Sequence, residues 1–235
     1  RSGAEVERLS AEELADGARF DADRFDLVIF PGEVIPGVVI PALRQFTEAG
    51  GVVMNLGGKL PFANRLAKRI DGTWTVSPES PAFAWQTDEI LGMFGLSYVY
   101  SPPHHDQAQR FTATPLLKRY LPTASDVAPP LENWWIPTKD VEGGGGGEYF
   151  PLIRSQRLDG VDVTPQLAVV RCGRRHAILC LNSLFTVGTK PEQWSQSDAL
   201  LMALARIAHD LRTGSLSLTA PLRVNVPASL RPPPP

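Results

Sequence analysis

Few side chains in this sequence are spaced to do chemistry together. His104, His105 and Asp106 form its one close group of metal-ligating types. Imidazole and carboxylate suit a divalent metal, but ligands that share an ion usually stand at helical spacing or far apart in sequence. After Pro102-Pro103 the expectation is an exposed turn, and no metal or other cofactor is expected. Trp134 and Trp135 follow Glu132 and Asn133, and Tyr149 and Phe150 lie beyond the glycine run 143–147. Such rings could stack on a sugar, anchor an interface, or fill the core beneath a long loop. Gly57 and Gly58 close one apolar run, and Gly32 and Glu33 follow another. If both runs are parallel strands, these four residues stand where open α/β sheets bind ligands, beyond the strand carboxyl ends. Two tight turns and a solvated carboxylate are the reading that weighs more.

The elements that must position these groups are clearest between Asp26 and Gly58. Asp26–Phe30 and Gly51–Leu56 are short apolar runs without alternation, as expected of strands buried on both faces. Between them Val39, Ile40, Leu43 and Phe46 have the spacing of an inward helix stripe. Pro41 suits the first helical turn, and Gly50-Gly51 supply a stop. Strand, helix and strand predict a right-handed βαβ unit with parallel strands. Ala4–Leu9 is expected to be an outer strand, followed by a helix start with Ser10 as cap and Glu13 as its capping-box partner.

Near the other end, Leu167–Cys172 and His176–Leu181 flank Gly173-Arg174-Arg175, which predicts a hairpin. Leu200, Leu201, Leu204, Ile207, Ala208 and Leu211 then mark a helix of about four turns, capped by Ser195 or Ser197 and ended by Gly214. Residues 59–165 read as a long irregular insertion with short elements of its own, including helical stretches near Thr87–Leu96 and Leu116–Tyr120. Residues 1–218 form the domain on this reading, and 219–235 a Pro-rich tail.

Composition narrows the function classes. Lys and Arg number 23 against 25 Asp and Glu, so no basic excess points to nucleic acid. No apolar run reaches the roughly 20 residues of a membrane-spanning helix. Two cysteines exclude a disulfide scaffold. Cys172 and Cys180 fall on predicted adjacent strands, where pairing is open. No G-x-G-x-x-G follows a strand, which argues against a dinucleotide site.

The residues Phe25–Gly32, Leu43-Arg44-Gln45-Phe46 and Ala49–Gly58 together resemble the class I glutamine amidotransferase-like superfamily. The pattern is most similar to non-catalytic members attached to glycoside hydrolases, such as the β-galactosidase trimerisation domain. Arg171–His176 resembles the Gly-basic hairpin turn of those domains, ahead of a closing helix. The resemblance covers roughly 4–62 and 165–213. It implies a flavodoxin-like, mostly parallel sheet with helices on both faces. On that order Arg1-Ser2-Gly3 would end an earlier helix, the first strand would be missing, and the sheet would carry a gap. Catalytic members hold a Cys on a strand-to-helix elbow, with a His and a Glu later. No Cys occurs between Gly58 and Gln166, and no G-x-S-x-G replaces it.

The first expectation is therefore a non-catalytic accessory domain of a larger carbohydrate-active protein. Its partners would be neighbouring domains or further copies of itself. The alternatives are a hydrolase using Glu33, Gly57, His104 and His105, and a sugar-binding module built on Trp134 and Trp135. Carbohydrate-active bacterial proteins are often exported, but the sequence assigns no compartment.

Overall fold

Helix α1 (Ala11–Ala15) forms where the sequence places it. Ser10 Oγ accepts from the Glu13 N–H at 3.2 Å, and Glu13 Oε2 accepts from the Ser10 N–H at 2.9 Å. This computed structural model describes residues 4–31, 34–56, 64–77, 89–96, 110–124, 146–156, 160, 162–180 and 191–222. Residues 4–9 are not the expected strand. They run without a ladder partner among the described residues, and Val6 is 90% exposed. Their apolar residues bury too little to hold a strand on a sheet.

Strands β1 (Leu27–Phe30) and β3 (Val52–Asn55) pair in parallel, Leu27 opposite Val52 and Phe30 opposite Asn55. The crossover between them holds the short strand β2 (Val34–Pro36), a 3-10 turn over Gly37–Val39, and α2 (Ile40–Glu48), with Pro41 in its first turn. The helix ends at Glu48, and Gly50 just beyond it has a φ of 98° that suits glycine. A Cβ on Gly51 would lie 2.3 Å from the Phe46 ring, so only glycine lets the chain turn this tightly back into β3.

The main sheet has six strands in the order β1-β3-β9-β8-β7-β6. Its remaining members are β6 (Arg110–Ala113), β7 (Glu148–Gln156), β8 (Asp162–Cys172) and β9 (Arg175–Cys180). The pairings β1-β3 and β3-β9 are parallel, and β9-β8, β8-β7 and β7-β6 are antiparallel. The sheet is therefore mixed, not mostly parallel. The two-residue turn Gly173-Arg174 and the short link after Gln156 force reversal, because a parallel return needs a crossover of a dozen or more residues. No gap interrupts the described strands, and β1 is the terminal strand.

Helices do cover both faces. Alternate residues of each central strand enter opposite cores. Val28, Phe30, Val53, Ala177 and Leu179 meet α2 through Leu43 and Phe46, with Phe20 stacked on Phe46 at 4.5 Å. On the far face Val52, Met54, Val169, Ile178 and Cys180 meet α5 (Pro191–Arg212) through Leu204, Ile207 and Leu211, and α4 (Pro115–Tyr120) through Leu117.

The region 59–165 is less of an insertion than its sequence suggests. β6, β7 and the start of β8 belong to the main sheet, while α3 (Glu89–Met93) packs Ile90 and Met93 into the α2-side core. Pro151 and Pro165 sit inside these strands, and the β7–β8 register shifts at Pro151/Ile153 and again at Ile153/Ser155. Prolines and bulges disguise strands in sequence. Helix α5 is also longer than predicted. It starts at Pro191, a residue suited to a first turn, so Ser195 and Ser197 lie inside it. Gly214, with φ 75°, follows its end as expected.

A second sheet, ordered β2-β4-β5, joins β2 to β4 (Asn64–Lys68) and β5 (Trp74–Val76). β2 and β4 are parallel, and β4 and β5 are antiparallel. After α5 the chain returns to the main sheet. Leu216 is buried on the α5 face, and the Leu222 N–H donates to the Tyr149 carbonyl at 2.7 Å. The start of the tail is thus docked on β7.

Candidate functional site

The residues expected to bind ligand, Gly32, Glu33, Gly57, Gly58, Trp134 and Trp135, lie outside the described residues, as do His104, His105 and Asp106. What is described are the strand ends that precede the first four in sequence. β1 ends at Phe30, β3 at Asn55 and β9 at Cys180, so the three parallel carboxyl ends form one rim. Asn55 is fully buried there. Its amide nitrogen donates to the Cys180 carbonyl at 2.7 Å, and its Oδ1 accepts from the Cys180 N–H at 3.0 Å. This side chain satisfies both backbone groups of the last β9 residue and locks the ends of two strands together.

Both cysteines are free. Cys180 lies opposite Leu167 and Cys172 opposite Arg175, at the two ends of the hairpin, so they do not pair. Cys180 is fully buried in the apolar layer under α5, which is packing rather than nucleophile chemistry. Among the described residues no three His, Cys, Asp or Glu side chains cluster to hold a metal.

The polar clusters that do form are pins. At the amino end of β1, Asp26 Oδ2 lies 2.9 Å from His209 Nδ1, and Asp26 Oδ1 accepts from Arg212 Nε. Burial pushes the Asp26 carboxyl up, but the His209 and Arg212 contacts outweigh it and hold it below its ordinary value. The cluster ties the end of α5 to the sheet at the end away from the rim. Tyr120 donates to Asp210 Oδ2 at 2.6 Å and joins α4 to α5. Burial, then Asp210, pushes its hydroxyl up to about 12. His176, on β9 opposite Arg171, buries Nδ1 without a partner; burial and Arg171 hold its pKa down, which favours the neutral ring.

Two surface depressions stand out among the described residues. One of about 440 Å³ lies where the tail docks, lined by Thr114, Pro151, Arg154, Asp162 and 220–222. Its guanidinium is already engaged by Asp162 through two bonds of 2.5 Å, from Nε and Nη2. The other, of about 380 Å³, runs between α1 and the small sheet, lined by Glu12, Ala15, Asp16, Val38, Lys68 and Trp74. Lys68 pairs with Glu12 across this groove and stands 5.8 Å from the centre of the Trp74 ring. The Lys68 hydrogen bond is the main cause that holds Glu12 below its ordinary value. An indole beside charged groups can stack on a flat ligand or seat a partner's side chain.

This groove opens onto an apolar surface. Six large apolar side chains are markedly exposed among the described residues. Four of them, Val34, Val38, Ile70 and Val76, belong to the small sheet and its connections. Sequence reading missed this surface. Trp74 carried no pattern, and three-residue strands are too short for alternation to register; the one available signal was Trp-Thr-Val over 74–76, whose two large residues share a face. No protein-family model matches the chain, and no curated protein matches it either.

Proposed function

We propose that this chain is a non-catalytic, amidotransferase-like accessory domain of a larger carbohydrate-active protein, and that it works by making contacts with neighbouring domains or with further copies of itself. The observation that carries this reading is the apolar surface of the small sheet. Val38 and Val76 are 50% and 56% exposed, while the central strands of the main sheet are covered by helices on both faces. Exposed apolar side chains gathered in one place mark interaction surfaces, whereas scattered ones need no explanation. The missing thiol elbow supports the non-catalytic part. So do the free cysteines, one sealed in the core and the other at the far end of its hairpin. The link to carbohydrate chemistry rests on the resemblance in sequence.

The test is association. Light scattering and sedimentation of the 235-residue chain, alone and mixed with the domains encoded beside it, should give a mass above 25.6 kDa in at least one case. A strict monomer that binds none of them would end this reading.

A further inference from the structure

After α5 the chain passes round one edge of the main sheet. β6 pairs with only the second half of β7, from Ile153 to Gln156. The first half has β8 on one side. On its other side the ladder partner among the described residues is Leu222, in an isolated antiparallel bridge to Tyr149. The segment Gly214–Leu222 starts on the α5 side. There Leu216 is buried and Leu218 half-buried, the Leu216 N–H donates to the Asp210 carbonyl at 2.9 Å, and Arg171 Nη1 donates to the Leu218 carbonyl at 3.4 Å. Leu222 packs instead against the α2-side core. Residues four apart on a regular strand share a face, so Leu218 and Leu222 reach opposite cores only if the strand breaks between them. Ala220 makes that break. Its φ of 58° is the one positive φ at a non-glycine residue among the described residues, and a Cβ makes that region unfavourable.

We propose that Gly214–Leu222 is a displaceable strap over the open half of the β7 edge, and that this edge takes an extended segment of another polypeptide when the strap lifts. This goes beyond the contact-making reading and makes no use of the small sheet. Among the described residues the strap holds β7 by one backbone bond, from the Leu222 N–H to the Tyr149 carbonyl at 2.7 Å. A regular antiparallel strand would repeat such bonds along its length. The strap is strained at Ala220, and strain persists only where the surroundings over-determine it. Here they do so weakly, since Thr219, Ala220 and Pro221 are all exposed. A groove of about 440 Å³ lies between 220–222 and Thr114, Pro151 and Arg154, so the strap is also loosely seated. An open strand edge is a template for another strand. A strained cover masks that template without abolishing it. The chemistry of the edge specifies the occupant: a backbone N–H for the Tyr149 carbonyl, and an apolar side chain for the place that Leu222 holds.

The experiment follows hydrogen exchange at the Leu222 amide of the full chain, then titrates the isotope-labelled chain with a synthetic peptide of its own residues Gly214–Leu222. Ala220→Gly removes the strain but gives the lifted strap more freedom. The net expectation is exchange at Leu222 about threefold slower than in wild type. Leu222→Pro deletes the N–H and lifts the strap. The peptide should then shift the Tyr149 resonance most readily in Leu222→Pro, less readily in wild type, and about threefold less readily again in Ala220→Gly, because apparent affinity scales with the open fraction. Thermal melting of each variant reports folding. Should Leu222→Pro melt early, Leu218→Ser lifts the strap by removing its anchor on the α5 side. Equal exchange at Leu222 in wild type and Ala220→Gly would overturn the strained strap. A peptide that leaves Tyr149 unshifted in the opened chain would overturn the edge as a strand acceptor. Neither result alters the association measurements that test the contact-making reading.

Discussion

The six-stranded and three-stranded sheets obey the same alternation with opposite outcomes. In the central strands of the large sheet both sets of alternate side chains are covered, one by α2 and the other by α4 and α5. Val52, Met54, Ala177 and Ile178 are all at 1% exposure or less. Among the described side chains of the small sheet only Ile35 is fully buried, and the opposite set faces outward. Covering both faces is what yields stability. Covering one leaves a surface that is held in place but still available. The carboxyl rim of β1, β3 and β9 belongs to the first kind of region, with a rigid scaffold under it. The small sheet belongs to the second.

The sharpest way to break this contrast is to cut side chains on both sides of it. Phe46→Ala removes a ring that is 2% exposed, stacked on Phe20 and pressed against Gly51. It should cost about 3–5 kcal/mol, read as a lower urea midpoint. Val76→Ala should stay within about 0.5 kcal/mol. Equal effects would refute the division. Ile35→Ala should cost about 2–5 kcal/mol, and hydrogen exchange should show β2, β4 and β5 opening before the main sheet does. Asn55→Ala leaves the Cys180 N–H and carbonyl without their side-chain partner. The expected cost is about 1–3 kcal/mol, with faster exchange confined to the rim.

Acid should weaken the large sheet in two stages. Burial holds the His176 pKa below its ordinary 6.5, with Arg171 adding to the effect, so the folded state binds its proton less readily than the unfolded chain. Its contribution is complete above that value and is lost as pH falls below it. Asp26 is held below its ordinary 3.8, so its contribution is complete above that value and is lost as pH falls through its lower native one. Stability against pH should therefore lose its upper slope in His176→Gln and its lower slope in Asp26→Asn. The smallest effect expected is that of Glu12→Gln. Its pair with Lys68 is exposed and screened by salt, so the melting temperature at physiological salt should not move measurably.

Legibility in the sequence followed the same divide. The βαβ unit from Asp26 to Asn55, the hairpin turning at Gly173 and the Ser10–Glu13 capping box were readable because each is a local arrangement with its own signal. The strand β7 was not, since Pro151 and two register shifts interrupt its pattern, and β6 has only four residues to show one. Ala4–Leu9 misled in the other direction: a passable alternation with no neighbour to pair against. Of the candidate site, the strand ends Phe30 and Asn55 were nameable from two apolar runs, while Gly32, Glu33, Gly57 and Gly58 lie outside the described residues. The outer face of the small sheet was not, because Val34, Leu66, Trp74 and Val76 come from three strands, and only their pairing puts them side by side.

Apolar spacing and glycine placement by themselves determined that this chain builds strands around a crossover helix and closes with a hairpin and a helix, because those signals act over a few residues. The tertiary structure alone decided that three of the five strand pairings in the main sheet are antiparallel, that Asn55 clasps the end of β9, and that one apolar face is sealed while another is left open. Those outcomes depend on which distant segments meet. A side chain's burial is a property of its neighbours in space, and its neighbours in sequence do not specify them.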